Sequence, residues 1–318
     1  MAQSRDSVID KELESVDAVM RTEVRSAYPE LNAMCEATLS THHHELRPAL
    51  CILTYYANGG KDADVAVRMS SCYESVFDGL HLHDHIGRNG EVVGEKKKLF
   101  SKTPSTTKVI VAGDFMYMMG FRLAYGSVPK IVPYLMRATS VISDTIFKID
   151  NHTGDPDVSE EDCLDILVRK GAIEFQIIME SASKLAGADE EAVTRMSECG
   201  KFLGMAIQLS FDVFDLIGFP DEKKADMLTL LTGFPTLPLY YAMNDPGIGE
   251  QVRGVFSKDG PSPKEMSGVV SRIKETDIIP KCRAMIAEYT SKAREMMAFL
   301  PDSEYKSALI KFSERISV

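Results

Sequence analysis

Apolar residues recur three and four positions apart along almost the whole chain, and strict apolar–polar alternation is absent. That period predicts helices and no sheet. The pattern places helices at about 8–28, 46–57, 62–86, 105–124, 128–149, 159–186, 189–217, 221–231, 236–243, 263–274, 278–299 and 302–315. Breaks fall where turn residues cluster: Asn58 to Gly60, Gly126, Gly154 to Pro156, Gly218 to Pro220 and Asp245 to Gly247. Ser159 followed by Glu161 and Asp162, and Asp189 followed by Glu190 and Glu191, set acids where a helix start favours them. No linker, low-complexity tract or short repeat interrupts the series, so residues 1–318 are expected to form a single all-α domain.

Cys199–Phe219 and Leu50–Tyr56 are apolar over much of their circumference, which suits the centre of a bundle with amphipathic helices outside. The 17 Met fit such a wide core as adaptable filler, or the lining of an apolar ligand tunnel. With 44% hydrophobic and 26% charged residues the chain has the balance of a soluble globular protein. No apolar run reaches the roughly 20 residues that span a bilayer, and the opening MAQSRDSVIDKELESVD lacks the apolar core of a secretory signal. The expected location is cytoplasmic. A net charge of −11 argues against nucleic acid as a partner. The six cysteines form no C-x-x-C pair, so ordinary buried thiols are expected.

Two segments put polar side chains into this apolar setting. In Phe77–Arg88, FDGLHLHDHIGR, the residues Asp78, His81, His85 and Arg88 share a helical stripe, with Asp84 one position round. In Gln208–Asp215, QLSFDVFD, the residues Gln208, Asp212 and Asp215 do the same, among Phe202, Met205, Leu209, Val213 and Leu216. Buried charge is costly unless paired or metal-bound, so the two stripes predict a polar cavity inside a helical protein. One reading of the first stripe is a transition-metal site, with His81 and His85 as an i,i+4 ligand pair and Asp78 completing it. Lys96, Lys97 and Lys98 suit a phosphate or diphosphate as well as a solvated face. Lys170 and Glu174 have the spacing of a helical ion pair.

A further set of residues stands in a telling order. It runs Leu46-Arg47-Pro48, Asp84, Val111-Ala112-Gly113-Asp114, Arg169-Lys170-Gly171, Ile207-Gln208 with Asp212 and Asp215, then Thr236-Leu237-Pro238 and the tail Leu300–Arg315. From about residue 40 to 315 this order resembles the trans-isoprenyl diphosphate synthases, or polyprenyl synthetases. The resemblance implies an all-α, isoprenoid synthase-type bundle around a deep central cavity. It implies a reaction in which an allylic diphosphate ionises and adds isopentenyl diphosphate, and assembly as a dimer. It also implies two D-D-x-x-D motifs holding two or three Mg²⁺ ions that neutralise the leaving diphosphate. Carried over, it gives Asp84, Lys170 and Gln208 as catalytic residues. Asp84, Asp212 and Asp215 become the metal ligands, and Arg47, His44, Lys96, Lys97, Lys98 and Lys170 the diphosphate binders.

The carry-over is incomplete. His85 and Arg88 stand where the first motif has its second and last acids, and Phe211 where the second motif begins. The family's lysine for isopentenyl diphosphate is His44, and an expected histidine is Phe77. Segment 229–234 lacks the usual Asp and Lys. Hard cations need oxygen ligands, and an arginine repels them. The sequence therefore predicts an impaired synthase acting as a non-catalytic or regulatory subunit, as a homodimer or a heterodimer with a catalytic synthase. The alternatives are an active prenyltransferase with a reduced Mg²⁺ site and the His81/His85 metal protein.

Overall fold

Helices α1 Asp10–Glu23, α2 Pro29–Leu39, α3 Leu46–Ala57, α4 Ala63–His83 and α5 Thr106–Ser127 come first in the computed structural model, which describes residues 8–39, 45–87, 90–93, 104–219 and 225–316. A 3₁₀ turn, Pro129–Ile131, then leads into α6 Val132–Asn151 and α7 Glu160–Ile166. A π-helical turn, Leu167–Ala172, separates α7 from α8 Ile173–Ala186, and α9 Glu190–Ile217 follows. The remainder is α10 Leu228–Thr232, α11 Leu237–Met243, α12 Gly249–Phe256, α13 Pro263–Ile273, α14 Ile278–Met297 and α15 Glu304–Glu314. No strand forms among the described residues; Ile86 and Val92 make one isolated antiparallel bridge. The all-α expectation holds.

The starts are set by capping. The Asp62 carboxylate accepts from the Asp64 and Val65 amides at the head of α4. Ser159 accepts from the Asp162 amide ahead of α7, and Ser262 with Glu265 forms a reciprocal capping box on α13. Two helices were not expected from the pattern. Helix α2 (PELNAMCEATL) has weak amphipathy but buries Met34, Cys35 and Leu39. Helix α12 begins at Gly249 and contains Gly254, which costs about 1 kcal/mol against Ala in a helix interior, and is held by burying Val252, Val255 and Phe256. The helix expected over 159–186 is interrupted by the π turn, and the one expected over 62–86 stops at His83.

Two compact units share the chain. Unit 1 comprises Met1–Thr139, Glu174–Gly200 and Arg294–Ser313; unit 2 comprises Ser140–Ile173, Lys201–Ala293 and Glu314–Val318. In unit 1, α4 and α5 lie unusually close because glycines face each other. A Cβ on Gly79 would sit 2.6 Å from the Gly113 carbonyl oxygen, and one on Gly120 would sit 2.6 Å from a Val76 methyl. Tyr73 and Phe77 stack at 5.9 Å in the core, and the Tyr73 hydroxyl bonds that of Ser181. In unit 2 the C-terminal half of α9 buries Leu203, Leu209, Val213 and Leu216. The π turn brings Gly171 against the Gln208 side chain, where a Cβ would fall 2.4 Å from Cγ.

All six cysteines are buried and free, as the spacing predicted. Burial pushes Cys51, Cys35, Cys163 and Cys282 up to about 12, which leaves these thiols unreactive near neutral pH.

Candidate functional site

The polar stripe of α4 closes around Arg47. The Arg47 Nε donates to Glu74 Oε2 at 2.8 Å, Nη2 to Asp78 Oδ1 at 2.5 Å and Nη1 to Glu174 Oε2 at 3.1 Å. His81 completes the group, with Nε2 at 2.7 Å from Glu174 Oε1 and Nδ1 at 3.2 Å from Arg47 Nη1. With its proton on Nε2, His81 donates to Glu174 and accepts from Arg47, so one neutral tautomer satisfies both contacts. Arg47, Glu74, Asp78 and Glu174 are all buried, while the His81 side chain is 39% exposed. Burial works against the Arg47 charge, but the three carboxylates outweigh it and hold its pKa well above the ordinary value. Burial likewise opposes the Glu174 charge, and His81 and Arg47 reverse it, keeping that carboxyl below the usual range.

Asp84, the first acid of the expected metal set, is the C-terminal cap of α4 in unit 1. A carboxylate there meets the negative end of the helix dipole. The remaining acids stand in unit 2, on α9. Asp212 Oδ1 accepts from the Gln208 amide at 2.8 Å. Burial pushes the Asp212 carboxyl up to about 7, assisted by nearby Asp215 and opposed by the Gln208 bond and the Lys170 charge. Asp215 faces the chain rather than a cavity. Its Oδ1 accepts from the Leu228 amide at 2.7 Å, and its Oδ2 from the Thr229 amide at 3.0 Å and hydroxyl at 2.5 Å. It thereby tethers the first turn of α10, entered through Met227 at φ +52°. Burial raises the Asp215 carboxyl too, and these bonds pull it back.

Lys170, carried on the π turn, stands with Gln208, Asp212, Phe234 and Thr236 around a small cavity of unit 2. Its volume of about 10 Å³ has room for roughly one water. The Lys170 ammonium lies 5.7 Å from the centroid of the Phe234 ring. Thr236 Oγ1, buried at the head of α11, has no hydrogen-bond partner among the described residues. Phe211, at the leading position of the second motif, packs in an aromatic group with Phe219, which also stacks on Phe214 at 4.6 Å.

These donors do not fit a Mg²⁺ cluster. Three of the four carboxylate oxygens of Asp212 and Asp215 already accept hydrogen bonds from the chain. Hard dications demand several ionised oxygens. The His81/His85 alternative is corrected as well. Helix α4 ends at His83, so His85 lies outside the helix and the i,i+4 pair does not form, and Asp78 binds Arg47. Among the described residues no three His, Cys, Asp or Glu are grouped to hold a metal. His44, Lys96, Lys97, Lys98 and Arg88 lie outside the described residues. The expected partner of Lys170, Glu174, is instead bonded to Arg47 and His81.

Glu74 was missed in the sequence, although it precedes Asp78 by four and His81 by seven on one helix face. The role of Thr229 as the Asp215 partner carries no sequence signal, because it depends on how α10 is approached.

An all-α fold bearing two acidic helical stripes defines the class of isoprenyl diphosphate synthase-like proteins. The solved polyprenyl synthase of Caulobacter crescentus CB15, complexed with calcium and isoprenyl diphosphate, superposes with a TM-score of 0.85 at 20% identity over 97% of this chain and 94% of that one. The heptaprenyl diphosphate synthase of Staphylococcus aureus gives a TM-score of 0.82 at 21% identity, covering 97% of each chain. The octaprenyl diphosphate synthase of Escherichia coli K12 is 24% identical over 306 residues, 94% of this chain and 93% of that protein. The heptaprenyl diphosphate synthase component 2 of Geobacillus stearothermophilus is 25% identical over 316 residues, 95% of this chain and 94% of that protein. The polyprenyl synthetase family model matches residues 28–273, and the chain belongs to that family.

Proposed function

We propose that this chain is a catalytically impaired isoprenyl diphosphate synthase that serves as a non-catalytic or regulatory subunit beside an active synthase. The observation that carries this reading is the fate of Asp215. Both its oxygens anchor α10, while Phe211 fills the leading acid position with an aromatic ring. A diphosphate leaves only when its developing charge is neutralised, and this helix offers Asp212 alone, its other acid being bonded to the start of α10. Mg²⁺ binding here is weak or absent. Isoprenyl diphosphates remain the ligand class, in keeping with the ligand of the Caulobacter structure. The name "component 2" of the Geobacillus relative supports assembly from more than one kind of chain.

The surface for that assembly is α5. Val111, Met118 and Tyr125, spaced by seven residues, are 51%, 55% and 80% exposed, with Ile110 beside them. A seam of this period fits against another helix.

A titration with Mn²⁺ as a paramagnetic Mg²⁺ substitute, in the presence of an allylic diphosphate, tests the reading. No site tighter than millimolar is expected. A tight site that disappears in Asp212→Asn would overturn it. The second reading, an active transferase with a reduced site, is favoured by one observation: Lys170, Gln208 and Asp212 remain grouped around one cavity.

A further inference from the structure

Arg47 is buried in unit 1 against carboxylates of the chain itself. Each of its three guanidinium nitrogens has a carboxylate partner: Nε with Glu74, Nη2 with Asp78 and Nη1 with Glu174. Those are the N–H edges that an arginine would turn to a phosphate, since carboxylate and phosphate are recognised by the same planar fork. The carboxylates are not surface decoration. The side chains of Glu74, Asp78 and Glu174 are 0%, 8% and 3% exposed, against 8% for Arg47.

Three carboxylates meet one guanidinium, all within 3.1 Å. One carboxylate would suffice to pair Arg47, and Glu74 on α4 already does so at 2.8 Å. Asp78 and Glu174 take the two remaining edges of Arg47, and they come from two different helices, α4 and α8. His81 closes the exposed side: it bonds Glu174 through Nε2 and contacts Arg47 through Nδ1. An anion approaching past His81 would find all three guanidinium nitrogens engaged.

We infer that Asp78 and Glu174 form an autoinhibitory contact: two internal carboxylates occupy the anion-binding edges of Arg47 and close this site to diphosphates. The inference rests on the reading of the chain as a synthase that has lost its diphosphate chemistry, but it concerns unit 1 and is independent of the metal ligands of unit 2. It makes Asp78 and Glu174 the residues that determine whether the site takes an anion.

The test is a gain of binding. Inorganic pyrophosphate, without divalent metal, is titrated calorimetrically into the full chain and into the double variant Asp78→Ala with Glu174→Ala, which leaves Arg47 paired with Glu74. The natural chain is expected to bind no pyrophosphate below millimolar concentration. The double variant is expected to bind at least tenfold more tightly, with an affinity that falls as salt rises and is lost when Arg47→Ala is added. If the alanine variant does not fold by circular dichroism, Asp78→Asn with Glu174→Gln decides, because it keeps the shape and removes the two charges. No gain in a folded variant overturns the inference while leaving the proposed function standing. Binding by the natural chain that Arg47→Ala abolishes overturns it as well. Prenyl transfer by the natural chain would instead overturn the proposed function.

Discussion

Arg47 is the residue on which unit 1 turns, because three buried acids share its guanidinium. Breaking a buried ion pair from one side costs about 3–5 kcal/mol. Arg47→Ala is therefore expected to destabilise the chain by at least that amount in urea unfolding, and Arg47→Lys to recover only part of it, since an ammonium cannot present three separate N–H edges. Asp212 makes a pH-dependent contribution of opposite character. Its folded pKa, raised by burial to about 7, lies above the value near 3.9 of an unfolded aspartate. The folded state thus holds a proton that the unfolded state releases between these values. The stabilisation is complete below about pH 4 and is lost as pH rises through about 7, at up to 1.4 kcal/mol per pH unit. Thermal unfolding of the natural chain should weaken from pH 5 to pH 8 relative to Asp212→Asn, which cannot titrate. Parallel curves for the two would contradict the assignment.

Among the elements, α10 depends on a single carboxylate and α5 depends on something outside itself. Loss of a side-chain cap costs about 0.5–2 kcal/mol. Asp215→Ala should therefore speed amide hydrogen exchange at Leu228 and Thr229 while leaving α9 protected. On α5, Met118→Lys is expected to weaken self-association or pairing in analytical ultracentrifugation without lowering the melting temperature, because Met118 is exposed in the folded chain. Most of these elements were readable from the period of apolar residues, and α3, α9, α11 and α13 fall within a residue or two of their expected bounds. What escaped was governed by tertiary contact. Helix α12 forms despite Gly254 because Val252 and Phe256 find a core, and the π turn exists where Gly171 meets Gln208. The stripes of α4 and α9 were legible as polar, but their partners were not. Asp78 and Asp215 resemble candidate metal ligands in sequence, and only the approach of α3 to α4 and of α10 to α9 turns them to other work.

At the scale of the whole molecule, the polyprenyl synthetase fold is kept, and the proposed impairment rests on two local arrangements. Unit 1 holds Arg47 among internal acids, and unit 2 spends Asp215 on a helix start. No helix among the described residues is long and apolar enough to cross a membrane. The fold itself could be read from six short motifs in order, whereas the proposed loss of activity was suggested only by the acids that are missing. The most direct measurement is transfer of radiolabelled isopentenyl diphosphate to allylic primers of several lengths, with Mg²⁺, by the purified and folded chain alone. The account predicts no product above background with any primer, and a change in product length or turnover once an active synthase is added. Product formed by the chain alone, and abolished in Asp212→Asn, would contradict it.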